Sequence, residues 1–224
     1  DPFHSKSPSN ETQVKVIYDE QYLYIGVLLK DNPNEISGRL SQYDDWFEGF
    51  DNNSDYFIVE IDSYHDHQTS YCFAVNSYGV KADYMIYDDN QDKIDDEWNE
   101  NWSSEISRSE EGWIIEYGIP LKILRFSNNT KMGINFIRYT KRFNEYDVWV
   151  VLPRETKGIV SHYGHLEGLH IKENKYLSIR PYLLTGYTTY DDRFFPDFEN
   201  DAIFLDSTGK NNKIGLDIKY NIDN

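Results

Sequence analysis

Short runs of β-branched and aromatic residues, in which apolar and polar side chains alternate, recur along most of the chain. Polar turns separate them at intervals of roughly eight to twelve residues, a spacing typical of a β-sandwich. The runs at 13–18 and 22–30 predict a hairpin, because only a short polar turn separates them. The run at 54–62 is predicted to pair with 69–77. Further strands are predicted at 79–87, 103–109, 112–120, 131–143 and 147–153.

The pattern therefore predicts an all-β protein built as an antiparallel β-sandwich. Its aromatic content, 19 Tyr, 12 Phe and 5 Trp, also favours strands. The segment 120–126 opens on a proline and is predicted to form a short helical turn. Cys72 is the single cysteine, so no intramolecular disulfide can form, and we interpret it as a small buried residue.

The charge of the chain limits the partners it can bind. It has 39 acidic and 22 basic side chains and a formal net charge of -17. Nucleic-acid binding depends on clustered Lys and Arg, and anionic lipid headgroups attract basic segments. The composition therefore excludes both as preferred partners and suits neutral ligands or cations.

The last fifty or so residues differ in character from the rest. Long strands are predicted at 176–190 and 213–222, with an acidic loop at 191–212 between them. Strict alternation of apolar and polar residues in the second strand is typical of a strand in a lipid-facing barrel. The alternative is an amphipathic hairpin packed on the sandwich, which composition alone favours because two strands cannot close a barrel.

Several stretches follow one another in an order that resembles a known family. The most specific is GWIIEYGIPLKILRF at 112–126, with the pattern GW-x-x-E-x-x-IP-x-x-x-LRF. The others are TQVKVIYDEQYLYIGVLLKD at 12–31, YDDWF at 43–47, SDYFIVEIDSYHD at 54–66, FAVNSYGVKAD at 73–83, GINFIRYTKRFNE at 133–145 and HYGHLEGL at 162–169. Together they resemble the family-9-like carbohydrate-binding domain at the N-terminus of large outer-membrane proteins of Gram-negative bacteria. The likeness extends over residues 12–190.

The resemblance implies a carbohydrate-binding jelly-roll sandwich at 1–172, followed at 173–224 by the first hairpin of an outer-membrane β-barrel. It implies that the sandwich lies outside the cytoplasm, and it favours the membrane interpretation of the hairpin. The family's opening segment, which carries an early Trp, is absent before Asp1, and the barrel stops after two strands. We therefore expect the sequence to be a piece of a longer protein.

The acidic stretch at 42–62 suggests a cation site. Its Asp and Asn spacing resembles an EF-hand loop, but the position that requires Gly is Tyr56, which excludes that motif. Calcium in another kind of loop stays open because carboxylates and backbone carbonyls suit a hard cation, and the resemblance implies structural calcium. A solvated loop is the alternative. The candidate ligands are Asp44, Asp45, Asp51 and Asp55.

A sugar site needs a flat aromatic surface and polar partners for the hydroxyl groups. Two acidic loops offer both kinds of side chain, and we predict that Trp46 and Trp98 form the platform. Trp102 and Trp113 are expected in the core. The predicted carbohydrate-binding residues are Trp46, Phe50, Trp98, Glu97 and Asn99.

Other constellations have simpler explanations. His65 and His67 have a spacing that permits metal binding, but a turn between strands is an ordinary place for histidine, and the same holds for His162 and His165. We therefore interpret both pairs as ordinary turn residues, with a zinc site as the alternative.

A glycoside hydrolase would need two carboxylates across a cleft at roughly 5–9.5 Å. The carboxylates that suggest such a pair are Glu60, Asp62 and Glu116. Glu60 and Glu116 lie within strand patterns, and we interpret the carboxylates as structural or surface groups. We predict a non-catalytic carbohydrate-binding domain of an outer-membrane protein. The alternative is an accessory protein whose sandwich docks other envelope proteins.

Overall fold

The computed structural model describes residues 6–51, 53–124, 126, 131–152, 156–171, 177–189 and 208–220. The chain divides into two compact units, Asp1–Glu173 and Asn174–Asn224. In the first unit the strands are β1 Thr12–Tyr18, β2 Tyr22–Lys30, β3 Tyr56–Asp62, β4 Ser70–Asn76, β5 Lys81–Tyr87, β6 Asn90–Asp95, β7 Ser103–Ser109, β8 Gly112–Pro120, β9 Lys131–Thr140, β10 Glu145–Val148 and β11 Gly164–Glu167. Its helical pieces are α1 Trp46–Gly49 and the 3-10 helices Leu121–Ile123, Lys141–Phe143 and Val160–His162.

The strands of the first unit form two antiparallel sheets. A four-stranded sheet has the order β1-β2-β8-β7, and a seven-stranded sheet has the order β10-β9-β3-β4-β5-β6, with β11 also paired to β9. The predicted hairpin of β1 and β2 is confirmed, and so is the pairing of β3 with β4. The helical turn predicted after Pro120 is also present, as a 3-10 helix. The all-β antiparallel sandwich is therefore confirmed.

The main core lies between the two sheets. Alternate residues of β2 and β8 face it from the four-stranded sheet, and alternate residues of β3 and β4 face it from the other. Each large apolar side chain that is fully buried contributes about 1.5–3 kcal/mol. Trp102 and Trp113 belong to this core, as expected. The strand residues at its centre are Leu23, Ile25, Val27, Leu29, Phe57, Val59, Ile61, Tyr71, Phe73, Val75, Trp113, Ile115, Tyr117 and Ile119.

The seven-stranded sheet is also buried on its other face. A second apolar cluster there contains Tyr56, Cys72 and Tyr84, and it is covered by residues next to α1 and by the segment 159–163. Strands β3 and β4 are consequently buried along their whole length. We call this second side the outer face of the seven-stranded sheet.

A buried ion pair joins the two sheets. Arg138 of β9 contacts the carboxylate of Asp31 at 3.3 Å, and both side chains are almost fully buried. The same guanidinium donates to the backbone carbonyls of Glu11 and Lys30 and to the hydroxyl of Thr12. The pair therefore ties β9 to the chain that follows β2.

The second unit is a long hairpin. Strands β12 Leu177–Thr189 and β13 Thr208–Tyr220 pair antiparallel along their full length. Cross-strand partners share one face of a sheet, so Leu183 opposite Ile214 and Pro181 opposite Leu216 place apolar residues on one side. Within the described residues, no helix is long and apolar enough to cross a membrane. Most of the predicted acidic loop at 191–212 lies outside the described residues.

Candidate functional site

A groove of about 350 Å³ opens on the outer face of the seven-stranded sheet. Its lining includes Trp46 and Phe47 from α1, Asp51 from the following loop, and Tyr56 from the start of β3. Two rings, a phenol and a carboxylate therefore surround one concave surface. All four residues come from a single short segment of the chain.

Helix α1 holds the indole of Trp46 in a fixed position. Asp45 caps the helix, since its side chain accepts a hydrogen bond from the backbone N–H of Glu48 at 3.0 Å. The Trp46 ring packs against Phe50 and Tyr84, with ring centres 4.7 Å and 5.3 Å apart. The indole is thus half-buried and immobilised, with part of its surface left to solvent.

Phe47 has the opposite environment. It is the next residue of α1, and 75% of its surface is exposed. An exposed phenylalanine of this kind gains nothing from the core, which makes it a candidate for ligand contact. The groove therefore combines one anchored ring with one free ring.

A series of tyrosines continues along the sheet from the groove. The ring centres of Tyr56 and Tyr139 are 4.9 Å apart, and those of Tyr139 and Tyr146 are 4.6 Å apart. The hydroxyl groups of Tyr56 and Tyr146 are hydrogen-bonded at 3.1 Å. Burial and the contact with Tyr146 raise the pKa of Tyr56, so its phenol stays protonated at neutral pH. It remains able to donate or accept a hydrogen bond.

The loop that carries Asp51 is closed by hydrogen bonds. The Asn53 backbone N–H donates to the carbonyl of Phe50 at 2.7 Å, and the Asn53 side-chain amide donates to the carbonyl of Phe47 at 2.8 Å. Asp51 has a φ of 33°, in the left-handed region that Asp and Asn tolerate better than most residues. Its carboxylate is therefore held at the rim of the groove by a constrained backbone.

The predicted platform of Trp46 and Trp98 does not form. Trp98 packs on Tyr71 and Phe73, which face the four-stranded sheet, whereas Trp46 packs on Tyr84. Because Tyr84 pairs with Cys72 in the register, it points to the opposite side from Tyr71. The two tryptophans therefore lie on opposite faces of one sheet.

The other predicted contact residues also lie away from the groove surface. Phe50 has no exposed surface, so its ring supports Trp46 and cannot touch a sugar. Glu97 and Asn99 follow β6, beside Trp98, and the Asn99 side chain bonds to the carboxylate of Asp44. Of the predicted carbohydrate-binding residues, Trp46 alone lines the groove.

The four predicted metal ligands have separate locations, with Asp51 in the lining of the groove and the other three in hydrogen bonds to the backbone. Asp44 accepts the backbone N–H of Asp83 at 3.0 Å, and Asp45 caps α1. Asp55 is buried and accepts the backbone N–H groups of Ser37 and Lys141 at 2.9 and 2.7 Å. Among the described residues, no group of three or more His, Cys, Asp and Glu side chains is arranged to hold a metal. These aspartates do not fit a shared calcium site, and calcium binding stays a prediction.

The carboxylates considered for glycoside hydrolysis do not share a cleft. Glu60 is buried on the outer face of the seven-stranded sheet, where its carboxylate accepts the amide of Asn135 at 2.9 Å. Burial raises the pKa of Glu60. Glu116 is exposed on β8 of the four-stranded sheet. Glu60 is therefore a buried structural residue, and Glu116 is a surface residue.

A buried carboxyl group that the sequence did not reveal ties the groove segment to the sheet. Asp83 of β5 accepts hydrogen bonds from the phenol of Tyr43, from the indole N–H of Trp102 at 3.2 Å and from the backbone N–H of Glu100 at 2.9 Å. Its own backbone N–H donates to Asp44. Tyr43 and Asp44 directly precede α1, so Asp83 anchors the segment that presents Trp46.

The sequence of the first unit matches a known family. The family is described as "Carbohydrate family 9 binding domain-like", and its model matches residues 3–159 of this chain. The chain belongs to this family. The carbohydrate-binding part of the family-9-like resemblance is thereby confirmed, and the groove lies within the matched residues. The outer-membrane context stays a prediction.

Solved structures share the fold. A carbohydrate-binding module family 9 from Caldicellulosiruptor kristjanssonii in complex with cellotriose has a TM-score of 0.51 and 14% identity, over 76% of this chain and 80% of that chain. The glucose complex of such a module from the same organism has a TM-score of 0.52 and 14% identity, over 76% of this chain and 81% of that chain. A protein from Bacteroides uniformis ATCC 8492 has a TM-score of 0.55 and 12% identity, over 73% of this chain and 79% of that chain. No curated protein matches the chain significantly in sequence.

Proposed function

We propose that the chain binds a neutral carbohydrate, without catalysis, in the groove lined by Trp46, Phe47, Asp51 and Tyr56. The observation that carries this proposal is the paired arrangement of an anchored indole and an exposed phenyl ring around one concave surface. The C–H faces of a pyranose stack on such rings. The carboxylate of Asp51 and the phenol of Tyr56 supply partners for sugar hydroxyls.

The chemical class of the ligand follows from the charge and from the family. A net charge of -17 repels anionic polysaccharides and leaves neutral sugars unaffected. Modules of the same family and fold are known in complex with cellotriose and with glucose. Glucose oligomers are therefore the first ligands to test.

The test is calorimetric titration of the chain with cellotriose. We expect Phe47→Ala to weaken binding about ten-fold, equivalent to about 1.4 kcal/mol, because an exposed contact ring is lost. Trp46→Ala is expected to weaken it further. Asp51→Asn keeps the left-handed backbone and removes the negative charge. It therefore tests the contribution of the charge to sugar binding without altering the loop.

Trp149→Ala is the matched control, because Trp149 is 57% exposed and its ring contacts Phe136, away from the groove. Its affinity for cellotriose should equal that of the unmodified chain. Equal affinity of Phe47→Ala, Trp46→Ala and the unmodified chain would exclude the groove as the sugar site. If no glucose oligomer binds, a glycan array identifies which neutral sugar does.

We also propose that the hairpin of β12 and β13 attaches the chain to the outer membrane of a Gram-negative bacterium, as the first hairpin of a barrel. The support is its exposed apolar side: Ile179 and Leu183 on β12, and Ile214 and Leu216 on β13, are each more than half exposed. Alternate residues facing lipid are typical of strands in an outer-membrane barrel. Docking of other envelope proteins stays a prediction.

Flotation with phosphatidylcholine vesicles tests this proposal. Leu183 and Ile214 face each other across the hairpin, so the double variant Leu183→Asp, Ile214→Asp places two charges on the apolar side. It should remain in the soluble fraction while the unmodified chain floats. Tyr182→Asp, on the other side of β12, is the control and should float. Flotation of the double variant would contradict the proposal.

A further inference from the structure

Three histidine side chains meet beyond the end of β3, far along the sheet from the groove. His65 and His67 lie in the turn between β3 and β4, and His165 lies on β11. The ring centres of His65 and His67 are 4.4 Å apart, and those of His65 and His165 are 5.3 Å apart. We call these residues the histidine cluster. Sugar binding in the groove makes no use of them.

The strand register explains why residues so distant in sequence meet. Gly133 of β9 pairs with Asp62 on one side and with His165 on the other. Strand β3 ends at Asp62, and the chain then turns directly into His65 and His67. The fold therefore places this turn and β11 on either side of the same residue of β9.

Hydrogen bonds fix the backbone that carries two of the imidazoles. The carboxylate of Asp62 accepts the backbone N–H groups of Asp66 and His67 at 3.1 and 3.0 Å. His65 and His67 have φ values of 57° and 59°, in the left-handed region. Both rings are therefore presented from a turn whose backbone is already ordered.

The electrostatic surroundings keep the cluster available to a cation. His165 is exposed on β11, near Lys131. Lys131 itself is paired with Glu167 at 3.0 Å, which offsets its charge. The Nε2 atom of His65 is inaccessible to solvent and has no hydrogen-bond partner among the described residues.

We propose that His65, His67 and His165 bind one Zn²⁺ ion. Neutral imidazole is a preferred zinc ligand. A Zn–N distance of about 2.1 Å places the ring centres of two imidazoles on one tetrahedral ion about 5 Å apart, close to the separations in the cluster. A water molecule would complete the four ligands.

Binding requires the imidazole rings to rotate. His65 and His165 are stacked, and no group of metal-binding side chains in the described part of the chain already converges on one point. The cluster and the groove lie near opposite ends of β3, and the six steps from Tyr56 to Asp62 span about 20 Å at the usual rise of a strand. Zinc would thus bind independently of sugar and would clamp the turn to β11.

Calorimetric titration of the 224-residue chain with ZnCl₂ at neutral pH tests the proposal. We expect uptake of one ion per chain, with at least a ten-fold loss of affinity in His165→Asn and in His67→Asn. Asparagine tolerates the left-handed conformation of residue 67, so this variant should fold. The matched control is His170→Asn, which changes an exposed histidine outside the cluster and should leave zinc binding unchanged.

Two further measurements separate this site from zinc held on surface carboxylates. Co²⁺ in place of zinc should give the intense visible absorption of a tetrahedral nitrogen site, and that band should be absent in His165→Asn. Lowering the pH to about 5 should weaken binding, because protons compete with the metal for imidazole nitrogens. Failure to take up one ion per chain, or equal zinc affinity in His165→Asn and the unmodified chain, would overturn the proposal.

Discussion

Asp83 shows how much one buried carboxyl group influences the groove segment. It accepts three hydrogen bonds and yet lies in surroundings that disfavour its charge, so burial raises its pKa to about 6. The raised pKa means that the folded chain holds a proton which the unfolded chain has already released between about pH 4 and pH 6. The contribution of Asp83 to stability is therefore largest at acidic pH and is lost as the pH rises through 6.

We expect Asp83→Asn to remove this pH dependence. Urea unfolding of the unmodified chain and the variant near pH 4.5 and pH 7 gives the two differences in free energy of unfolding. The decrease in the free energy of unfolding between pH 4.5 and pH 7 should be about 1–3 kcal/mol larger in the unmodified chain than in the variant. Asp147, whose pKa burial and Glu145 raise to about 6, is present in both proteins and cancels. An equal pH dependence would show that Asp83 is ionised at both pH values.

The groove was predictable from the sequence only in part, for a reason visible in α1. Trp46 and Phe50 stand four residues apart, so a helical turn points both rings toward the sheet, and Phe47 between them points outward. The sequence identified an aromatic, acidic loop, but without a predicted helix it could not separate the buried ring from the exposed one. Trp98 was misplaced because a loop tryptophan has no alternation that reveals its face.

At the scale of elements, the buried pair of Arg138 and Asp31 connects β9 to the end of β2. Asp31 also pairs with Arg142, so its carboxylate keeps one cation when Arg138 is removed. The backbone carbonyls of Glu11 and Lys30, however, lose the buried guanidinium that donates to them. Arg138→Met should therefore lower the free energy of unfolding by about 2–4 kcal/mol, as measured by urea unfolding. The matched control is Lys93→Met, which breaks the exposed pair of Lys93 with Asp88 and should change stability by less than about 1 kcal/mol. Equal effects of the two variants would contradict a structural role for the buried pair.

The strands were predictable where one face is buried, because burial imposes the alternation. The signal fails at the edge: β6 has the sequence NQDKID, is mostly exposed and was interpreted as part of an acidic connection. β10 ends at Val148, short of the predicted 147–153. The burial of β3 and β4 on both faces also escaped prediction, since it depends on α1 and the segment 159–163, which approach from elsewhere in the chain.

At the scale of the whole molecule, the net charge of -17 leads to a prediction about salt. A neutral sugar releases no counterions, so the affinity for cellotriose should change less than two-fold between about 50 and about 500 mM NaCl. Calorimetry at both salt concentrations measures this. A steep rise in affinity with salt would instead indicate an anionic ligand whose repulsion by the acidic surface is being screened.

Cys72, the single cysteine of the chain, allows local opening at the centre of the seven-stranded sheet to be measured by thiol labelling. It lies on β4 between β3 and β5, it is fully buried, and burial raises the pKa of its thiol. Its sulfur faces the outer side of the sheet, so a disulfide reagent can reach it only when the covering residues next to α1 or the segment 159–163 move away, or when the domain unfolds. The rate at which Cys72 is labelled therefore measures how often the middle of the domain opens, and no engineered cysteine is needed.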